Sequence, residues 1–181
     1  MKKFLLPAAL AACTAFAQPA SALVAAAPQA PGVAATVMLK NEKGEDAGKA
    51  ELFEAQKGLV VRIELSGLPE GWHALHFHAT GDCSDHADHF KKSGGHFLLE
   101  GEYHGVFAQG GPHAGDMPNI WIGKDGTGKA EVFTPTTLAM LQDADGSAVM
   151  IHAGPDDYIS QPSGDAGARL ACGVVAGPKA E

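Results

Sequence analysis

Residues 80–118 are polar, rich in glycine and histidine, and carry no strand period. A loop of that length inside a compact domain needs a rigid scaffold around it and is usually functional. The scaffold reads as β on both sides. After the first residues no stretch repeats its apolar positions at helical spacing, and short apolar segments alternate with Gly, Asp and Pro. Strands are expected over 32–40, 48–55, 58–66 and 72–79, with turn chemistry at 41–45 and 56–58. They resume at 119–123, and Lys124-Asp125-Gly126-Thr127-Gly128 turns the chain into 129–134. Strands at 148–152 and 168–175 follow, separated by a second long loop at 153–167. The expectation is all-β: one domain, an eight-stranded antiparallel Greek-key sandwich or flattened barrel with two long functional loops. With 181 residues, 45% of them hydrophobic, the chain can bury one such core.

The fourth strand reads Gly71-Trp72-His73-Ala74-Leu75-His76-Phe77-His78. Residues two apart on a strand share a face, so His76 and His78 project together and Phe77 turns away. Neutral imidazole is the commonest protein ligand for zinc and copper, so this pair starts a metal site, unless both are unrelated surface histidines. Eight of the nine histidines fall between His73 and His113, which favours the site. The long loop adds His96, His104, His113 and Asp116, at gaps of eight, nine and three residues. Three histidines and one aspartate satisfy a closed tetrahedral zinc site. His76 and His78, with the distant His152, make an all-imidazole set that suits copper. One imidazole serves two metals only when both its nitrogens are ligands.

Other histidines read more plainly. His73 lies at an odd offset from His76, so it faces away from the ligands and is expected to bond backbone. His86 and His89 read as a solvated polar loop, with an additional surface metal as the alternative. If Ile120 and Ile122 face the core, Trp121 faces out, either as a homodimer contact or as a partly covered surface residue.

Lys2, Lys3, the apolar run 4–12 and the small residues after it form an export signal over 1–22, too short for a transmembrane span. Cleavage is expected after Ala17 or Ala22. A third reading is a lipobox, Leu10-Ala11-Ala12-Cys13, with a lipid anchor on Cys13. The Ala- and Pro-rich lead-in to residue 31 (23–31 after the later cleavage) reads as a tether, and 32–176 as the domain. The protein is thus expected to be exported, to the periplasm. Losing Lys2 and Lys3 takes the formal net charge from −8 to −10, which argues against a nucleic-acid partner. Cys83 and Cys172 remain, and an even count in an exported protein favours a disulfide over two buried thiols.

The stretch 71–78, Gly95-His96-Phe97, His104-Gly105, His113-Ala114-Gly115-Asp116, His152 and Gly167-Ala168-Arg169-Leu170-Ala171-Cys172-Gly173 together resemble the copper-zinc superoxide dismutases of the bacterial exported type. The resemblance runs from about Gly32 to Val175. It implies one copper per chain on His76, His78, His96 and His152, and one zinc on His96, His104, His113 and Asp116, with His96 shared. It implies that Cys83 and Cys172 form the family disulfide. Arg169 would attract the anion beside copper, and Asp156 would link a copper histidine to a zinc histidine. The implied activity is dismutation of superoxide to oxygen and hydrogen peroxide by redox cycling of copper, with His96 carrying a proton. The alternative is a copper-binding or copper-delivery module of the same fold, in which Arg169 or His96 would be expected to differ. A zinc hydrolase fits less well, because no H-E-x-x-H is present and a site with four protein ligands has no open position.

Overall fold

The structure is a computed structural model and describes residues 31–176. The expected export signal, both cleavage points and Cys13 lie outside the described residues. Eight strands form: β1 Ala35–Asn41, β2 Asp46–Ala55, β3 Gly58–Leu65, β4 Gly71–His78, β5 Asp116–Ile122, β6 Gly128–Thr134, β7 Ser147–His152 and β8 Arg169–Ala176. All pairings are antiparallel, in the order β5-β4-β7-β8-β1-β2-β3-β6. The edge strands β5 and β6 approach each other across the 123–128 turn, which leaves the barrel nearly closed.

Every expected strand is present, with shifted ends. β5 begins at Asp116, earlier than its pattern suggests, because Met117 and Ile120 both enter the core at a spacing of three. The ladder accommodates the extra residue as a bulge: His73 pairs with Ile120, but Leu75 pairs with Met117. Pro118 sits in that bulge, where its missing N–H costs no ladder bond. Two single 3-10 turns, His86–Asp88 and Lys91–Ser93, and one short helix, α1 Leu138–Leu141, were too brief to show a helical period.

Side-chain alternation sets the layers. Val37, Leu39, Leu52, Val61, Ile63, Leu75, Phe77, Ile120, Ile122, Val149 and Ile151 fill the barrel. β7 is buried on both faces, since its outward residues Ala148 and Met150 pack with Phe90 and Cys172 in a second, smaller cluster. That cluster lies under the loop tied down by the Cys83–Cys172 disulfide.

Backbone pairing also assembles the long loop onto β4. His78 and His96 form an isolated bridge. Phe97 N–H donates to Phe77 O at 2.8 Å, Gly115 N–H to Phe97 O at 2.7 Å, and Phe77 N–H to Gly115 O at 2.8 Å. A Cβ on Gly115 would stand 2.6 Å from Phe77 O, so this crossing admits only glycine. On the opposite edge of β7, the register sets His152 against Arg169.

Candidate metal centre

His76 and His78 project from β4 on the outer side of the barrel wall, and the long loop covers them completely. The ligating atoms of His76, His78, His96 and His152 all lie within 4.8 Å of one another, and all four residues are buried. Each ring has one nitrogen already spoken for. His76 Nε2 bonds Asp156 Oδ2 at 3.0 Å, His78 Nδ1 faces Gly94 O at 3.0 Å, and His152 Nδ1 faces Gly167 O at 3.3 Å. Facing an acceptor assigns the proton to that nitrogen and leaves the other as a lone pair. His78 Nε2 and His152 Nε2 then confront each other as two lone pairs at 3.3 Å. His76 Nδ1 and His96 Nε2 are buried with no partner at all. Four lone pairs converging in a buried space call for a cation between them.

The second cluster is built around one oxygen. His96 Nδ1, His104 Nδ1 and His113 Nδ1 stand 3.1, 3.1 and 3.5 Å from Asp116 Oδ1. Donors about 2.0–2.1 Å from a tetrahedral zinc are about 3.3 Å apart, so each of the three nitrogens stands from Asp116 Oδ1 about as such a set requires. A tighter grouping by mutual distance takes His76, His96, His104 and Asp116. His113 falls outside that grouping, although its buried Nδ1 has no partner and points at the same oxygen. His96 belongs to both clusters, with one ring nitrogen toward each.

Asp156 joins the two. Its Oδ1 accepts from His104 Nε2 at 2.9 Å while its Oδ2 accepts from His76 Nε2 at 3.0 Å. Its own backbone is clamped by the Asn119 side chain, which accepts from Asp156 N–H at 2.8 Å and donates to Asp156 O at 2.9 Å. Gln161 does the same to His104, accepting from its N–H at 3.0 Å and donating to its carbonyl at 2.8 Å. Gly164 packs so closely on this pair that a Cβ there would stand 1.8 Å from Asp156 Oδ1. Glu102 Oε2 accepts from Leu99 N–H and Ala114 N–H, fastening the loop between His113 and Asp116. None of Asn119, Gln161, Gly164 or Glu102 carries a sequence signal, because each acts through a partner distant in the chain.

The Arg169 guanidinium donates to Phe90 O and Gly94 O, both at 2.7 Å. His73 bonds the carbonyls of His152 and Pro69 at 2.8 and 2.9 Å, the backbone role expected of it. His89 pairs with Glu42, and the His86 ring stands against Phe90. Neither enters a group of three metal-binding side chains among the described residues.

A family model described as copper/zinc superoxide dismutase matches residues 46–175. The chain belongs to the copper/zinc superoxide dismutase family. Among dismutases of this family, the chain is 42% identical over 149 residues to "Superoxide dismutase [Cu-Zn]" of Caulobacter vibrioides, covering 78% of this chain and 84% of that one. It is 43% identical over 144 residues to "Superoxide dismutase [Cu-Zn] 2" of Aquifex aeolicus, covering 76% and 83%. Among solved structures, a SOD-like protein from Bacillus subtilis superposes with a TM-score of 0.72 at 31% identity, over 80% of this chain and 99% of that one. The Cu/Zn superoxide dismutase from Brucella abortus superposes with a TM-score of 0.65 at 29% identity, over 77% and 97%. Copper and zinc are thus the metals that the family brings to these two clusters.

The dismutase-family centre is tuned to be neutral on one side and charged on the other. Burial pushes His76 down to about 4, against the pull of Asp156, and pushes His152 down to about 3. Burial likewise holds His78 well below the ordinary 6.5 and lowers His113. Burial also works against the charge on His104, but its bonds to the Asp116 and Asp156 carboxylates outweigh it and raise that ring to about 9. Burial opposes the charge on Asp116 and Asp156 too. Bonds from His104 to both, from His96 to Asp116 and from His76 to Asp156 keep these carboxyls far below their usual range.

These shifts predict how the metal-free protein responds to pH. His76, His78 and His152 stay neutral when folded but take protons when unfolded, so stability falls as pH drops below about 6.5. His104 has the opposite sign: its contribution is complete below 6.5 and is lost as pH rises from there through about 9. Thermal melts of chelator-treated protein should therefore peak near pH 6.5 and decline on both sides. A midpoint rising steadily from pH 6 to 9 would show that His104 is not held by the two carboxylates.

Proposed function

We propose that the protein dismutates superoxide, converting two superoxide anions and two protons to oxygen and hydrogen peroxide. The observation that carries this reading is the convergence of four buried ring nitrogens, with His78 Nε2 and His152 Nε2 3.3 Å apart and His76 Nδ1 and His96 Nε2 without a partner, an arrangement that a metal cation satisfies. His76 Nδ1, His78 Nε2, His96 Nε2 and His152 Nε2 would hold copper. His96 Nδ1, His104 Nδ1, His113 Nδ1 and Asp116 Oδ1 would hold zinc. Copper, when bound, supplies the electron exchange, and zinc, which has one accessible oxidation state, supplies charge and order. The chain does the rest. Arg169 stays protonated throughout and draws the anion to the cluster against an acidic average charge. His96 Nε2, buried and without a protein partner, is the nitrogen that can take a proton and yield it to peroxide. Asp156 fixes the His76 and His104 rings through their Nε2 protons, so that both present Nδ1 to the metals. The copper-delivery alternative is not favoured, since the Caulobacter and Aquifex relatives are named superoxide dismutases.

The same proposal places the protein outside the cytoplasm: residues 1–22 as export signal, 23–31 as tether, and the periplasm as destination, with acylation at Cys13 as the other outcome. Among the described residues no helix is long and apolar enough to cross a membrane. Trp72 and Trp121 stack edge to face at 5.3 Å on β4 and β5, and both are about half exposed. Such a patch suits a homodimer contact.

Metal content measured beside a superoxide assay tests the central claim. One copper and one zinc per chain are expected, with activity falling as salt rises. Arg169→Ala should slow turnover while metal content stays constant. Full loading without turnover would overturn the enzyme reading and favour a copper carrier. On the same preparation, intact mass identifies the mature N-terminus, and sedimentation distinguishes dimer from monomer.

A further inference from the structure

Ser93 is fully buried, stands next to Gly94 at the end of the second 3-10 turn, and has no part in either ligand set. Its hydroxyl nevertheless touches both halves of the proposed anion site. Ser93 Oγ donates to Phe90 O at 2.8 Å, accepts from Arg169 Nη1 at 3.2 Å, and lies 3.2 Å from His78 Nδ1. A serine hydroxyl offers one donor and two acceptor sites, so these three contacts use it completely. They come from three separate places in the chain: the loop's own turn, the start of β8, and the end of β4.

We propose that Ser93 is a positioning residue of the anion site, its hydroxyl holding the Arg169 guanidinium and the His78 ring in one fixed relation. The donor count shows why. Arginine carries five N–H groups. Nη1 spends both of its own on Phe90 O and Ser93 Oγ, and Nη2 spends one on Gly94 O. Nε–H and one Nη2–H are then the donors without a partner among the described residues, and these are what an incoming anion can take. Without Ser93 Oγ, one Nη1–H loses its partner and the guanidinium is free to turn about the remaining two bonds. It could then meet the anion in several orientations instead of one.

The His78 side follows the same logic. Its Nδ1 proton is shared between Gly94 O at 3.0 Å and Ser93 Oγ at 3.2 Å, and Gly94 O also receives Arg169 Nη2. Ring and guanidinium therefore share two acceptors, one a carbonyl and one a hydroxyl. Movement of one is felt by the other, so the distance from the anion donors to the copper-facing Nε2 of His78 is set by this small bracket. The proposal rests on the dismutase reading for what the anion is, but not for the bracket itself.

Two measurements decide it. In metal-free protein, nitrogen NMR of the His78 ring should show the Nδ1 proton exchanging at least about threefold faster in Ser93→Ala than in the parent, because one of its two acceptors is gone. In copper- and zinc-loaded protein, azide titrated against the visible copper band should bind about three- to tenfold more weakly in Ser93→Ala, the effect of one lost charge-assisted bond. In an Arg169→Ala background the same change should make no further difference, since the serine acts through the arginine. An unchanged azide affinity in Ser93→Ala would overturn the proposal. So would an equal loss in both backgrounds, which would mean a general loosening of the loop. If the loaded parent shows no dismutation, the functional reading fails, while proton exchange and azide affinity still decide the role of Ser93.

Discussion

Replacing His96 with alanine is expected to lower superoxide turnover by at least about 100-fold and to weaken both metal sets at once. His96 turns one ring nitrogen toward each cluster, with Nδ1 at 3.1 Å from Asp116 Oδ1 and Nε2 buried and unpartnered toward His76, His78 and His152. Its loss removes one of four donors from each set, and with it the nitrogen that can carry a proton to peroxide. The backbone at this point is also paired, through the bridge to His78, so alanine should preserve the loop's path while deleting the ring. Metal stoichiometry and turnover, read on the same sample, separate the two effects. Retention of both metals together with more than a tenth of the activity would show that His96 is not shared between them.

The double change Cys83→Ser with Cys172→Ser is expected to produce the largest loss of stability. The two cysteines are 89 residues apart in sequence and joined in the fold. Closing a loop of that size restricts the unfolded chain by about 4–5 kcal/mol in the loop-entropy model. For a domain of this length that corresponds to about 10–20 °C in melting temperature. Turnover should fall as well, because the disulfide and Phe90 share the small cluster beneath the loop, and Phe90 O holds Arg169. Reducing the native protein should reproduce the drop in melting temperature. A shift of less than about 3 °C would mean that the loop is held by Phe90 and its neighbours and not by the bridge.

The strands were legible because alternation and turn residues are local signals, and His76 and His78 on β4 illustrate the point. Where the expectation slipped, a tertiary demand had intervened. Pro118 looked like loop, yet β5 runs through it because the barrel needs both Met117 and Ile120 inside and a bulge absorbs the difference. His96, His104 and His113 stood out as candidates by residue type, since histidine is scarce elsewhere in the chain, and Asp116 by its place three residues after His113. Arg169 and Asp156 were not, because an arginine at a strand end and an aspartate in a polar loop have no local mark. They could be named only through the resemblance. Ser93, Asn119, Gln161 and Gly164 were out of reach for a further reason. Each gains its role from a partner that the chain brings near only on folding, such as Arg169 for Ser93 or Asp156 for Asn119.

The bulge at Pro118 has a consequence for the protein before any metal arrives. β5 is an edge strand, and an exposed edge with a regular row of N–H and C=O groups is a template on which another chain can add itself. Here the row is broken. Pro118 has no N–H to offer, and the neighbouring Asn119 N–H is already donated to the Tyr158 hydroxyl at 2.8 Å. The far edge, β6, is turned toward β5 and not outward. Among the described residues, neither edge of the sheet therefore offers a regular strand for a neighbouring chain to extend, even before copper and zinc arrive. The same irregular edge that lets β5 close toward β6 thus also removes a template for strand addition.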